Sequence, residues 1–445
     1  MTKVKTETTT SRGAGITPGF LPAAAFAHPG PTAVGTIDLH SPSDFSLTTP
    51  LRGEHRDGLL LVRLHDEPLG ALHVPDMSIA ASADQLVGLV DQQLGPRVRR
   101  HMQRFRCQVS DVRCPGDTIP RVAGAVAVII ATTGRTATLD RCLYSLTPLR
   151  RDDLEIIVVD NRPDVRTREL VSQWSVRDRR VRYVAEGRSG LPIARNRGIA
   201  ETRAEFVAFT DDDVVVDPNW LPWLLAPFVD AKVAAVTGMV LPLELETVAQ
   251  KLFEQYAGFC KGFERHVYDL RSNRADERLL YPYWGGMFGS GNSMAFRRAG
   301  LVAAGGFDPA LGVGTIPHGE DIEAMSKAIL RGGELVYEPR SLCWHEHRRD
   351  DDALRRQVFN YGVGFTAVLT KALTHDPGFA RAVARSVPVA VRIRRRRARR
   401  SGATGALPPE LARIEHRGML RGPVVYARSL HTVRRLRLNE VINGG

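Results

Sequence analysis

Four apolar runs, each followed by polar residues and then by a helical pattern, constrain this chain more than any other feature. Val126-Ala-Val-Ile-Ile leads through Ala-Thr-Thr-Gly-Arg into a stripe at Leu139, Cys142, Leu143 and Leu146. Glu155-Ile-Ile-Val-Val-Asp precedes a helix through Leu170 and Trp174. Val181-Arg-Tyr-Val precedes another near Leu191, and Glu205-Phe-Val-Ala-Phe-Thr ends in Asp211-Asp-Asp. A period of about 25–30 residues is that of repeated strand–helix–strand units. Strands buried on both faces read as unbroken apolar runs, because no side faces water. The pattern therefore predicts an α/β fold with a mainly parallel sheet flanked by helices. In such sheets ligands sit beyond the carboxyl ends of the strands. The residues to examine are Thr132, Thr133, Arg135, Asp160, Asn161, Arg188 and Asp211 to Asp213.

The flanks read differently. Residues 1–31 are rich in Thr, Gly and Pro and are expected to be disordered. Residues 32–115 are expected to form a small α+β accessory domain. Gly58 to His65 reads as a strand, Asp66-Glu-Pro as a turn and Leu69 to Val74 as the returning strand. Ser82 caps a helix striped by Leu86, Leu89, Val90 and Leu94. The strand–helix pattern occupies the middle region, 121–350, and 351–445 is read as a helical, Arg-rich C-terminal region. Within the middle region, Glu244 to Tyr268 reads as helix, as do Asp321 to Leu330 and Asp352 to Leu373. Gly362 and Gly364 look like weak points in the last of these.

Three consecutive aspartates at a strand end repel one another unless a cation neutralises them. Carboxylates suit Mg²⁺ or Mn²⁺, usually together with phosphate oxygens. Asp211, Asp212 and Asp213 are thus candidates for holding a metal–diphosphate, against the alternative of an acidic turn or helix cap. Asp160 is placed to accept from a base or ribose, or to cap its own turn. Arg195 and Arg197 carry the fork geometry that suits diphosphate, or are surface ion pairs. Glu320 and Asp321 precede a helix; one carboxylate facing a hydroxyl can act as general base, and capping is the alternative. His345 or His347 offers a further metal ligand, or is an ordinary histidine. The five cysteines are sparse, and Cys107 and Cys114 are seven apart. They are read as free thiols with no zinc-site spacing.

These residues lie in motifs whose order resembles family 2 glycosyltransferases. The motifs are Val126-Ala-Val-Ile-Ile-Ala-Thr-Thr-Gly-Arg, Ile157-Val-Val-Asp-Asn, Gly190-Leu-Pro-Ile-Ala-Arg-Asn, Phe209-Thr-Asp-Asp-Asp, Gly289-Ser-Gly-Asn-Ser-Met-Ala-Phe-Arg, Gly305-Gly-Phe-Asp and Gly319-Glu-Asp. The resemblance covers 121–350 and implies a GT-A fold and inverting transfer of a sugar from a UDP-, GDP- or dTDP-linked donor. It implies that Thr132, Arg135 and Asp160 line the base and ribose pocket and that Arg195 lies near the diphosphate or helps shape the donor pocket. Asp211 and Asp213 would be the DxD pair, the first towards the ribose and the last towards Mg²⁺ or Mn²⁺, with Asp212 sharing either role. His345 would join the metal site. Gly291 and Asn292 would shape the sugar and acceptor pocket, to which Trp284 is also assigned. Asp321 would be the base, with Glu320 supporting it or binding the acceptor. Relatives usually read Pro-Thr-Tyr/His-Asn-Arg where this chain has Ala131-Thr-Thr-Gly-Arg.

Composition decides between the remaining readings. At 43% hydrophobic and 25% charged the chain is an ordinary globular protein. No apolar run approaches the roughly 18–20 residues of a membrane span. The net charge of +12 resides in one place: residues 376–445 hold sixteen arginines against four acids. Such a segment with apolar flanks at Val387–Val391 and Pro423–Ala427 suits an anionic membrane surface. The expectation is a cytoplasmic enzyme, peripheral on the inner face of the membrane and acting in polysaccharide or glycoconjugate biosynthesis. A sugar-1-phosphate nucleotidyltransferase is the alternative enzyme, disfavoured by the poor nucleotide loop after the first strand. Nucleic-acid binding lacks any supporting motif. The acidic residues argue against a non-catalytic sugar-binding relative.

Overall fold

The computed structural model describes residues 20–43, 45–51, 56–114, 118–271, 280–283, 286–312, 319–381, 383 and 408–438. The apolar runs form the strands expected of them: β5 (Val126–Thr132), β6 (Leu154–Asp160), β7 (Val181–Ala185) and β8 (Phe206–Asp211). They follow β1 (Thr32–Asp38), β2 (Ser46–Leu47), β3 (Asp57–Leu64) and β4 (Glu67–Val74) of a separate small sheet. After them come β9 (Val214–Val216), β10 (Val233–Pro242), β11 (His266–Tyr268), β12 (Ser293–Arg297) and β13 (Glu334–His345).

The large sheet runs β11-β13-β10-β12-β8-β5-β6-β7, with β9 added against the end of β13. β5 is parallel to β6 and β8, β6 to β7, and β10 to β13; β9, β11 and β12 run antiparallel to their neighbours. Among the described residues the sheet is therefore mixed: β5 to β8, β10 and β13 run in one direction, and β9, β11 and β12 in the other. Its connecting helices are α2 (Thr136–Leu146), α3 (Val165–Arg177), α4 (Leu191–Ala200), α5 (Trp220–Leu225), α6 (Val248–Ala257), α7 (Arg298–Ala303) and α8 (Glu320–Leu330), preceded in the chain by α1 (Ala83–Phe105). The helix expected over 244–268 is shorter. Thr247 and Gln250 form a capping box that starts α6, and the chain turns at Gly258 into the approach to β11. β13 runs past Pro339 with a bulge opposite Gly238 and Met239, which carries it on to His345.

The small sheet, ordered β2-β1-β3-β4, is covered on one side by α1. Its other side belongs to the large sheet's core: Val34, Leu59, Leu61 and Ala71 pack in one cluster with Met239, Leu241 and Leu245. Leu21 and Ala25 join it, so the stretch 20–31 is packed rather than disordered. Lys251 fixes it further by donating to the carbonyls of His28 and Gly30 at 2.9 and 2.5 Å. Residues 1–19 lie outside the described residues.

At the other end, α9 (Asp351–His375) packs along α10 (Pro409–Arg435). Gly362, read as a weak point, is a crossing point. A Cβ there would lie 2.3 Å from the carbonyl oxygen of Glu415, and one on Gly418 would lie 2.2 Å from that of Phe359. Glycine lets two backbones approach where any side chain would hold them apart. The arginine run 392–400 and Val387–Val391 lie outside the described residues. Pro423–Ala427 lies within α10, where Tyr426 turns inward to α9 and Val424 stays exposed. Among the described residues no helix is long and apolar enough to cross a membrane.

Candidate active site

The register of the central strands brings the sequence candidates to one edge. Thr132 sits opposite Asp160 across β5 and β6, and Ala131 opposite Asp211 across β5 and β8. Beyond Asp211 the chain turns into β9, which pairs with the end of β13 so that Val214 faces His345. The long β13 thereby delivers its last residue beside the aspartates.

The three aspartates point to three different sets of partners. Asp212, fully buried, accepts from Thr132 Oγ1 at 2.6 Å and from Arg135. Asp213 accepts from Arg135 Nη1 at 2.6 Å, and its Oδ1 lies 3.4 Å from His345 Nε2. Asp211 accepts from Arg195 Nη2 at 3.2 Å. Burial pushes Asp212 up to about 7, against the pull of Arg135. Burial opposes ionisation of Asp213 too, but His345 and then Arg135 outweigh it and hold this carboxyl well below the usual range. Adjacent carboxylates thus differ because their surroundings differ: Asp213 lies beside both His345 and Arg135, Asp212 beside Arg135 and Thr132.

Behind His345 runs a buried chain of polar groups. His345 Nδ1 lies 3.0 Å from His347 Nδ1, and His347 Nε2 lies 2.5 Å from Glu254 Oε1. Burial lowers the pKa of His347 despite Glu254. Both histidines are buried, so neither is a surface residue. Glu254 was not among the sequence candidates. Its signal was available: Gln250 and Glu254, four apart, share the inward face of α6 with Phe253.

A second cluster centres on Arg195, which is 3% exposed. It donates to Glu320 Oε1 at 2.8 Å, to the Gly291 carbonyl at 3.1 Å and to Asp211. Arg197 turns away to pair with Glu201 at 2.6 Å. Burial, then the adjacent Asp321, push Glu320 up to about 8 against the pull of Arg195. Asp321 is half-buried at the start of α8. Its Oδ2 accepts from Gly291 N at 2.9 Å and its Oδ1 from Ile322 N at 2.8 Å. A Cβ on Gly291 would sit 2.7 Å from Asp321 Oδ2, so only glycine leaves room for this contact.

Asp160, also fully buried, accepts from the backbone of Arg162 and Asp164 at 3.1 Å each and from Tyr183 Oη at 3.0 Å. Asn161 ties the same turn to the next by accepting from Gly190 N at 2.8 Å and donating to the Arg188 carbonyl at 2.7 Å. Arg188 itself pairs with Glu186. Trp284 lies outside the described residues.

Among the described residues, buried oxygens of this site without a hydrogen-bond partner include Asp213 Oδ1, Glu320 Oε2 and Asn292 Oδ1. Each unmet buried acceptor costs about 1–3 kcal/mol, and buried polar groups are mostly hydrogen-bonded. Asp213 Oδ1 together with His345 Nε2 is a donor set suited to a divalent cation. The arrangement can therefore hold a cation, meet an anion with two arginines and present one carboxylate, Asp321, at a helix start.

Residues 127–301 match the family described as glycosyl transferase family 2. A pre-mycofactocin glycosyltransferase of Mycobacterium tuberculosis is 30% identical over 174 residues, which cover 39% of this chain and 33% of that protein. The match thus spans about a third of that relative's length. The poly-beta-1,6-N-acetyl-D-glucosamine synthase of Staphylococcus aureus is 23% identical over 221 residues, 49% of each chain. A solved mannosyltransferase from Pyrobaculum calidifontis, in complex with GDP-Man and Mn²⁺, aligns with a TM-score of 0.41 and 18% identity, covering 78% of this chain and 86% of that one.

Proposed function

From the match of residues 127–301 to glycosyl transferase family 2, we propose that this chain is an inverting, GT-A-type enzyme. It would move a sugar from a nucleoside-diphosphate donor to an acceptor hydroxyl. The observation that carries this is the joining of two clusters at one sheet edge: Arg135 with Asp212 and Asp213, and Arg195 with Asp211, Glu320 and the Gly291–Asp321 contact.

The donor's base and ribose are assigned to the Thr132, Arg135 and Asp160 side, and its diphosphate to the space between Arg135 and Arg195. A Mg²⁺ or Mn²⁺ ion held by Asp213 with His345, and by Asp211, would supply positive charge to the diphosphate. Glu320 is buried against Arg195, so its part is to hold that guanidinium in place. Asp321 is the general base, oriented by the Gly291 amide. It takes the proton of the acceptor hydroxyl while that oxygen bonds to the anomeric carbon. The bond from that carbon to the diphosphate oxygen breaks on the opposite face, and its electron pair leaves with the nucleoside diphosphate. Attack opposite the leaving group inverts the anomeric centre. Gly291 and Asn292 border the transferred sugar.

A panel of UDP-, GDP- and dTDP-sugars, with Mg²⁺ or Mn²⁺, tests the reading. At least one donor is expected to yield free nucleoside diphosphate. Pyrophosphate as the product would instead identify a sugar-1-phosphate nucleotidyltransferase.

The exposed face of α10 carries Arg413, Arg417, Arg421, Arg428 and Arg435 beside the exposed Leu420 and Val424. This supports docking on an anionic membrane surface, at about 1 kcal/mol per cation close to it. Substituting Arg417, Arg421 and Arg428 by Gln should weaken binding to phosphatidylserine vesicles by about 100-fold on that figure. Equal binding of the two proteins in a flotation assay would exclude the surface. Substitution is preferable to truncation here, because removing α10 would strip α9 of its partner.

A further inference from the structure

The sequence spacing of Cys107 and Cys114 argued against a zinc site, yet the fold gathers four candidate ligands at one point. His65 is at the turn between β3 and β4, His101 is in the last turns of α1, Cys107 lies just past that helix, and Cys114 follows in the loop towards β5. All four residues are buried. One ligand atom from each lies within 4.8 Å of the other three. The two sulfurs are 3.6 Å apart, His65 Nδ1 and His101 Nε2 are 3.4 Å apart, and each of those nitrogens is 3.1 Å from Cys114 Sγ. A tetrahedral zinc, with Zn–S near 2.3 Å and Zn–N near 2.0 Å, sets S–S edges at about 3.8 Å, N–N at about 3.3 Å and S–N at about 3.5 Å.

The outer atoms agree with that geometry. His65 Nε2 lies 2.6 Å from the Asp111 carbonyl, and His101 Nδ1 lies 3.3 Å from Glu67 Oε2. Metal-bound histidines almost always offer their second nitrogen to a carbonyl or carboxylate, which fixes the tautomer and ring plane. Backbone in the left-handed region flanks two of the ligands: φ is 53° at His65 itself and 52° at Arg106, just before Cys107. Non-glycine residues adopt it rarely.

We infer that His65, His101, Cys107 and Cys114 bind one structural Zn²⁺, a site separate from the cation site of the proposed reaction. Two thiolates and two imidazoles make a closed, four-coordinate set with no open position for chemistry. The ion would join the hairpin tip, the end of α1 and the linker to the large sheet. That hairpin tip rests on the catalytic body: Arg63 pairs with Asp217 at 2.6 Å, and Asn219 Nδ2 donates to Asp66 at 3.2 Å. Zinc would therefore hold the small sheet against the enzyme.

The test is metal content and cobalt spectroscopy on the full chain. Untagged wild-type protein should carry about one zinc per chain, and the Cys107→Ser/Cys114→Ser variant about none. Cys260→Ala, which removes a buried thiol elsewhere, should keep its zinc. Wild-type protein stripped of metal and loaded with Co²⁺ should show tetrahedral ligand-field bands and a thiolate-to-cobalt charge-transfer band, a readout that needs no variant to fold. Absence of that spectrum, unchanged zinc in the double variant, or a metal-free chain with a Cys107–Cys114 disulfide would overturn the site. A cation held by Asp213, Asp211 and His345 has no sulfur ligand and gives no thiolate band, so this result and the donor assay fail or succeed separately.

Discussion

Asp321→Asn should abolish sugar transfer while leaving donor affinity within about twofold. A positioned general base contributes about 10²–10⁴-fold, equivalent to about 3–5 kcal/mol of barrier. Asparagine keeps the size of the side chain, and its single carbonyl oxygen can still accept from Gly291 N. It gives up the second bond, to Ile322 N, which is worth about 1 kcal/mol. It cannot take a proton from a hydroxyl. Single-turnover rates measured beside donor titration calorimetry separate the two effects. Wild-type turnover in the variant would remove Asp321 from the role.

Asp213→Ala should cost about 100-fold or more in metal-dependent donor affinity, about 2.7 kcal/mol. The substitution takes away the carboxylate whose Oδ1 lacks a hydrogen-bond partner and lies beside His345. Arg135 keeps Asp212, so that arginine retains one of its two ion pairs. The signature is loss of the metal effect itself. Adding Mn²⁺ or a chelator should change donor binding by wild type and leave the variant indifferent. Donor affinity equal to wild type in the presence of metal would sink the cation assignment.

The strands and their terminal polar residues were legible because burial on both faces writes itself as unbroken apolar text, and because a parallel sheet puts such ends together. The aspartate triplet was legible as a cluster, but not which residue faces which partner. That depends on β9 folding back on β13, a pairing of residues about 130 positions apart. The buried line from His345 through His347 to Glu254 was hidden for the same reason. The histidine–cysteine cluster was hidden by a rule of thumb: close ligand pairs mark sites built on one local turn, whereas here a hairpin, a helix and a loop each contribute. Gly362 was misread because a glycine's local propensity is weak evidence when a second helix is about to cross it.

The core shared by the two sheets also sets a timetable. Thr32 donates its amide to Leu245, and Thr48 Oγ1 reaches the Leu243 carbonyl, 195 residues later, at 2.5 Å. During synthesis the small sheet emerges first with one apolar face bare, and the surface that covers it is not yet made. Contacts this distant are slow to close, and exposed apolar faces invite association in the interval. The N-terminal segment would then be the part of the molecule most dependent on protection by chaperones while the chain is still growing.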